Sequence, residues 1–139
     1  MIERVLVAMD GSDLSERALR YALDGHPDAE ITVLNVVGGA SPMMGQAVGI
    51  ALSDDGEEGI REAAEPVFER AREIAAEYDA EVETIVEAGR PARQIIDHAE
   101  EFDVVVLGTH SGSLADRLLV GNVAKTVFQR SPVPVTVVR

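Results

Sequence analysis

Five short runs of apolar, mostly β-branched residues set the architecture open to this chain: Ile2–Met9, Ile31–Val37, Val82–Val86, Val104–Gly108 and Val133–Val138. A run that is apolar at odd and even positions alike suits a strand covered on both faces, and parallel strands joined by crossover helices provide that cover. The intervening segments carry helical periodicity. Leu14, Ala18, Tyr21 and Ala22 fall at i, i+4, i+7 and i+8 after a Gly11-Ser12-Asp13 turn and cap, and the helix ends near Gly25-His26-Pro27. Ile60, Ala63, Ala64, Val67, Phe68, Ala71, Ile74, Ala75 and Tyr78 form a second stripe, in which Pro66 kinks the helix or marks its start. Gly89-Arg90-Pro91 opens a short helix bearing Ala92, Ile95, Ile96 and Ala99, and Gly121 to Arg130 reads as a fourth. The 139 residues suffice for one domain, 1–139, and the expected fold class is α/β: an open parallel sheet with helices on both faces.

The periodicity lapses between Gly38 and Gly59, where Gly, Ser, Pro and Asp mark a long connection. Met43, Met44, Val48, Ile50 and Leu52 are too apolar for a plain solvated linker, which leaves a loosely packed insertion or a lid or partner-binding segment.

Charge narrows the partners. A formal net charge of −13 opposes nonspecific attachment to nucleic-acid phosphate, which rests on Lys and Arg displacing counterions. A single lysine, Lys125, stands against eleven arginines, a balance that fits a salt-rich cytoplasm and equally an acidic protein of a GC-rich genome. No apolar stretch reaches bilayer length, and Met1-Ile2-Glu3-Arg4 runs into the first strand without a secretory-signal pattern, so the expected location is cytoplasmic, with no membrane partner. The chain has no cysteine, which removes disulfides, thiolate metal sites and cysteine nucleophiles.

In open α/β sheets ligands bind beyond the carboxyl ends of the strands, at the switch point. Two segments have the residues for that position. Asp10 leaves the first strand in Ala8-Met9-Asp10-Gly11-Ser12, with a helix-cap role as its alternative. Gly108-Thr109-His110-Ser111-Gly112-Ser113 leaves the fourth, and Gly121-Asn122-Val123 then begins a helix. Glycines admit phosphate oxygens close to the backbone, and a helix start offers unpaired N–H groups and a favourable dipole, so the pair forms a phosphate cradle or, alternatively, plain strand-to-helix turns. No G-x-x-x-x-G-K-[ST] or G-x-G-x-x-G pattern follows the first strand. A triad of His110 with Ser12 or Ser111 and Asp10 lacks the G-x-S-x-G elbow, so no catalytic residue is assigned. His26 and His98 read as solvated, and no ligand spacing links the three histidines into a metal site.

Val5-Leu6-Val7-Ala8-Met9-Asp10-Gly11-Ser12, Val33-Leu34-Asn35-Val36, Val104-Val105-Val106-Leu107-Gly108-Thr109-His110, Leu118-Leu119-Val120-Gly121-Asn122-Val123-Ala124 and Ser131-Pro132-Val133-Pro134-Val135-Thr136-Val137-Val138, in this order, resemble the universal stress protein family over nearly the whole chain. The resemblance implies a five-stranded parallel sheet in the order 3-2-1-4-5, of the adenine nucleotide alpha hydrolase-like kind, and a homodimer through the last strand, Val133–Val138. It implies an adenine nucleotide, ATP or AMP/ADP, as ligand. Ala8 and Val36 would line the adenine pocket with Leu107 as its floor, and Asp10 would lie near the ribose or a phosphate-bound metal ion. Gly108, Ser111, Gly112, Gly121, Asn122 and Val123 would surround the phosphates, whose oxygens would chiefly hold any Mg²⁺. ATP-binding members resemble G-x-x-G-(nine residues)-G-[ST]; here Gly108 and Gly121 keep the outer spacing, while Ser111 and Asn122 replace the inner glycine and the hydroxyl residue. Gly112, one place later, offers an open backbone, and the Asn122 amide can still donate to a phosphate oxygen.

The expected function is a nucleotide-binding stress-response sensor or switch, with at most slow ATP hydrolysis because no general base is placed for an in-line water. The alternative is a dimer of the same family that binds no nucleotide and serves as a protein-interaction module. A phosphate-accepting receiver domain is rejected: Glu87-Ala88-Gly89 stands where the acceptor Asp belongs, and no lysine follows a later strand at the required place.

Overall fold

The computed structural model describes residues 1–38, 56–109 and 120–139. The described chain alternates strand and helix in the order β1 (Arg4–Ala8), α1 (Asp13–Gly25), β2 (Glu30–Val37), α2 (Gly56–Ala76), β3 (Val82–Ala88), α3 (Pro91–Ala99), β4 (Val104–Gly108), α4 (Asn122–Arg130) and β5 (Val135–Val138). The strands form one sheet in the order β3-β2-β1-β4-β5, every pair parallel. Val7 of β1 stands opposite Val33 on one side and Val106 on the other, so β1 is the central strand.

Strand alternation sorts the core into two layers. Val5, Val7, Val33, Val37, Val104 and Val106 pack with Ala18, Leu19 and Ala22 of α1 and Ala64, Phe68, Ala71 and Ile74 of α2. Leu6, Leu34, Val36, Val105 and Leu107 pack with Ile95 and Ala99 of α3 and Ala124 and Val127 of α4. Both faces of β1, β2 and β4 are therefore covered, which is why those three read as largely apolar runs, interrupted in β2 by Thr32 and Asn35.

Several expectations change in detail. The buried face of α1 is Ser15, Ala18, Leu19, Ala22 and Leu23, and Tyr21, placed on the stripe by periodicity, is 49% exposed. The i, i+3, i+4, i+7, i+8 series starting at Ser15 is the true stripe; a polar residue at its head hid it. Helix α2 starts at Gly56, so Gly56–Gly59 is helical rather than part of the connection, and Pro66 lies in the interior, ten residues past the first. Pro66 and Glu62, whose carbonyl loses the Pro66 donor, are both exposed. The remainder of the long connection, with Met43, Met44, Val48, Ile50 and Leu52, lies outside the described residues.

Helix α2 closes with the Asp79 N–H donating to Ala76 O and the Ala80 N–H to Ala75 O, while Asp79 takes φ 53°, the left-handed closure usually given to glycine. His98 is not solvated: it is half-buried and its Nε2 lies 3.1 Å from Glu87 Oε1 at the end of β3. Strand β5 begins two residues later than expected, because Ser131 Oγ engages both the N–H and the C=O of Val133 (3.2 and 2.8 Å) and removes them from the ladder. At the amino end of the sheet Asp103 Oδ2 accepts the N–H groups of Glu3 (2.8 Å) and Arg4 (2.9 Å), fastening the entry of β1 to the entry of β4. Those two donors hold the Asp103 carboxyl below the usual carboxylate range.

Candidate functional site

The carboxyl ends of β1 and β4 are neighbours, and each is followed by a turn whose geometry follows from its residues. After Ala8, the Met9 N–H still bonds Leu34 O (2.9 Å), and Asn35 Nδ2 on β2 donates to Met9 O (2.8 Å). The chain then turns at Gly11, whose φ of 85° is costly for a residue with a Cβ. Asp10 Oδ1 accepts the Ser12 N–H (2.9 Å), and Ser12, in an extended conformation, caps α1 by accepting the Ser15 N–H (3.2 Å). The helix cap is therefore Ser12; Asp10 stabilises the turn ahead of it. Asp10 is exposed, and its second carboxylate oxygen makes no hydrogen bond or ion pair among the described residues.

On the neighbouring strand Gly108 has a packing reason of its own. A Cβ there would lie 3.1 Å from Leu14 Cβ and 3.3 Å from the Leu14 carbonyl, so β4 touches the first turn of α1 only because this residue lacks a side chain. Thr109, buried, donates its N–H to Val138 O (2.8 Å) and accepts the Gly121 N–H (2.6 Å), so the start of α4 is tied to the exit of β4. Gly121 is the N-cap of α4, with no side-chain cap bond and no acidic residue in the first turn. Among the described residues no side chain accepts from the leading N–H groups of α4, and the positive end of its dipole favours a negatively charged acceptor. Asn122 and Val123, the first two helical residues, are exposed.

Ala8, Val36 and Leu107 close the arrangement from the sheet side. All three belong to the layer under α3 and α4; Val36 is 6% and Leu107 3% exposed, while Ala8 is half-buried. Among the described residues these groups bring together apolar side chains, a carboxylate oxygen without a partner and a helix start without a side-chain cap, at the ends of neighbouring strands. His110, Ser111 and Gly112 lie outside the described residues. No group of three metal-binding side chains occurs among the described residues.

Sequence reasoning missed Ser15, Asn35 and Thr109 as organisers of these turns. Asn35 was legible as a carboxamide flanked by Val33-Leu34 and Val36-Val37 in β2, and Ser15 by its helical spacing to Ala18 and Leu19. Thr109 acts through its backbone, for which residue type gives no signal.

Comparison with known proteins bears on the family and the fold. The profile described as "Universal stress protein family" matches residues 1–139. Universal stress protein YxiE of Bacillus subtilis (strain 168) is 34% identical over 148 residues, covering 100% of both chains. Among solved structures, universal stress protein UspA from Lactobacillus plantarum superposes with a TM-score of 0.74 at 26% identity, covering 99% of this chain and 98% of that one. A universal stress protein in complex with cAMP gives 0.70 at 25% identity, covering 99% and 97%. Two more distant structures share the fold: one from Archaeoglobus fulgidus in complex with dAMP (TM-score 0.68, 23% identity, covering 100% and 98%) and one from Arabidopsis thaliana with AMP bound (0.65, 16%, covering 97% and 90%). The fold is the adenine nucleotide alpha hydrolase-like one.

Proposed function

The chain belongs to the universal stress protein family, and from that premise we propose that it binds an adenine nucleotide, ATP or its mono- or diphosphate, between the exits of β1 and β4. The observation that carries this reading is the start of α4, capped by no side chain among the described residues and tied through the Gly121 N–H to Thr109 at the exit of β4, the strand beside the one that Asp10 leaves. Phosphate oxygens satisfy such a helix start without a side-chain cap. The adenine would rest against Ala8 and Val36 over Leu107, and the phosphates would be gripped by Gly108, Gly121, Asn122 and Val123 together with Ser111 and Gly112. Asp10 would take the ribose or, with phosphate oxygens supplying the other ligands, a Mg²⁺ ion. Related proteins that hold cAMP, dAMP and AMP support the ligand class.

Binding without rapid turnover suits a cytoplasmic stress-response sensor or switch. Self-association through β5 completes the proposal: β5 is an edge strand, Pro134 ahead of it has no N–H, and Phe128 on the preceding helix is 60% exposed. A second reading, an interaction module without nucleotide, draws on Ser111 and Asn122 replacing the glycine and hydroxyl of the nucleotide pattern.

The test is to denature freshly purified protein and identify released nucleotide by chromatography, then to follow the melting temperature with added ATP and Mg²⁺. Gly121 has φ −67°, open to any residue, so Gly121→Val is expected to fold and to lose at least about tenfold in ATP affinity by placing a side chain where phosphate would lie. An empty protein whose melting point ignores ATP selects the second reading.

A further inference from the structure

Asn35 is a carboxamide placed where the sequence otherwise supplies only valine and leucine. It shares a face of β2 with Val33 and Val37, the face covered by α1 and α2, and it is 3% exposed. A buried amide is unfavourable unless its hydrogen bonds are made, and here the Nδ2 group donates to Met9 O at 2.8 Å. That oxygen belongs to the peptide unit that delivers Asp10.

The unit is planar, so its orientation is set by what holds its two ends. The carbonyl end is held by Asn35; the N–H end, on Asp10, points to Ser15 Oγ at 3.4 Å. One residue earlier the Met9 N–H is held by Leu34 O. The chain thus reaches Asp10 from a peptide fixed on both sides, beyond the last β1 residue, and only then makes its left-handed turn at Gly11.

We infer that Asn35 is the positioning residue for Asp10: its amide fixes the Met9–Asp10 peptide so that the Asp10 carboxylate is presented to the nucleotide. The inference rests on the nucleotide reading above. Asn35 touches no ligand and acts only through the turn.

Asn35→Leu keeps the branched shape and heavy-atom count of the side chain and removes the donor; Asn35→Val is smaller than leucine, matches its neighbours Val33 and Val37 and secures a folded variant if leucine does not fit. Calorimetric titration with ATP and Mg²⁺ is expected to show binding about three- to tenfold weaker in either variant, the worth of one lost hydrogen bond. In the Asp10→Ala background the same substitutions are expected to cost less than about twofold, because residues acting through one another are not additive. Amide exchange of the unliganded variants, expected to quicken at Asp10 and Ser12 and to stay slow at Val5–Val7, separates loss of placement from general loosening. A wild-type protein that ignores ATP overturns the reading of the site and this role with it. A wild type that binds while the variants bind as well, or losses that add fully to Asp10→Ala, overturns the role alone.

Discussion

Asp103 shows how one side chain can fix a strand's entry. Its Oδ2 gathers the N–H groups of Glu3 and Arg4, while Arg4 donates to Glu101 O (2.7 Å) and lies 4.9 Å over the Phe102 ring. Those donors favour the ionised carboxylate, so its folded value lies below its unfolded one. The stabilisation is therefore fully present above the ordinary carboxylate range and is lost as pH falls through the depressed folded value. Thermal melts of wild type and Asp103→Leu should differ at neutral pH and converge in strong acid; a gap that stays constant across the acid range would show that the carboxylate's charge contributes nothing.

At the scale of elements, α2 carries a residue that local propensity forbids. Pro66 removes one intrahelical bond ten residues inside the helix, yet nine apolar residues from Ile60 to Tyr78 pack on the layer shared with α1 and outweigh it. Pro66→Ala should restore the bond and raise unfolding free energy by about 1–3 kcal/mol in a urea titration; an unchanged midpoint would mean that the local backbone has adapted fully. The same packing explains what the sequence made legible. The five strands and four helices of the described residues could be located from apolar runs and stripes, since burial on one face or two leaves a periodic trace, and the strand order followed from the family resemblance. Polar residues inside apolar elements were the blind spots: Ser15 at the head of the α1 stripe moved the stripe by a residue and put Tyr21 on the wrong face, and Asn35 passed as part of a strand. At the site, Ala8, Val36 and Leu107 were expected together and share a layer, and Gly121, Asn122 and Val123 were expected at a helix start and are there. The contact of Gly108 with Leu14 was not foreseeable, because it joins a strand end and a helix far apart in sequence.

Over the whole molecule, the charge of −13 and the exposed edge at β5 pull in opposite directions. Two copies brought edge to edge repel through their summed charge, and salt shortens the reach of that repulsion to about 10 Å at 0.1 M and 3 Å at 1 M. Light scattering should therefore show a dimer that tightens as salt rises, and Phe128→Glu should weaken it at every salt concentration; a monomer throughout would remove β5 from the assembly. Surface pairs such as Arg70 with Glu16 and Glu73 offset little of this excess.

Thr109 gives the arrangement a hub. Through its amide it grips the far end of the rim strand at Val138, and through its carbonyl it grips the helix that opens at Gly121. A tug delivered to that helix would travel two hydrogen bonds to the outer margin of the sheet, so the proposed cargo at the centre and the border proposed to meet a twin would be geared together by the backbone of a single residue.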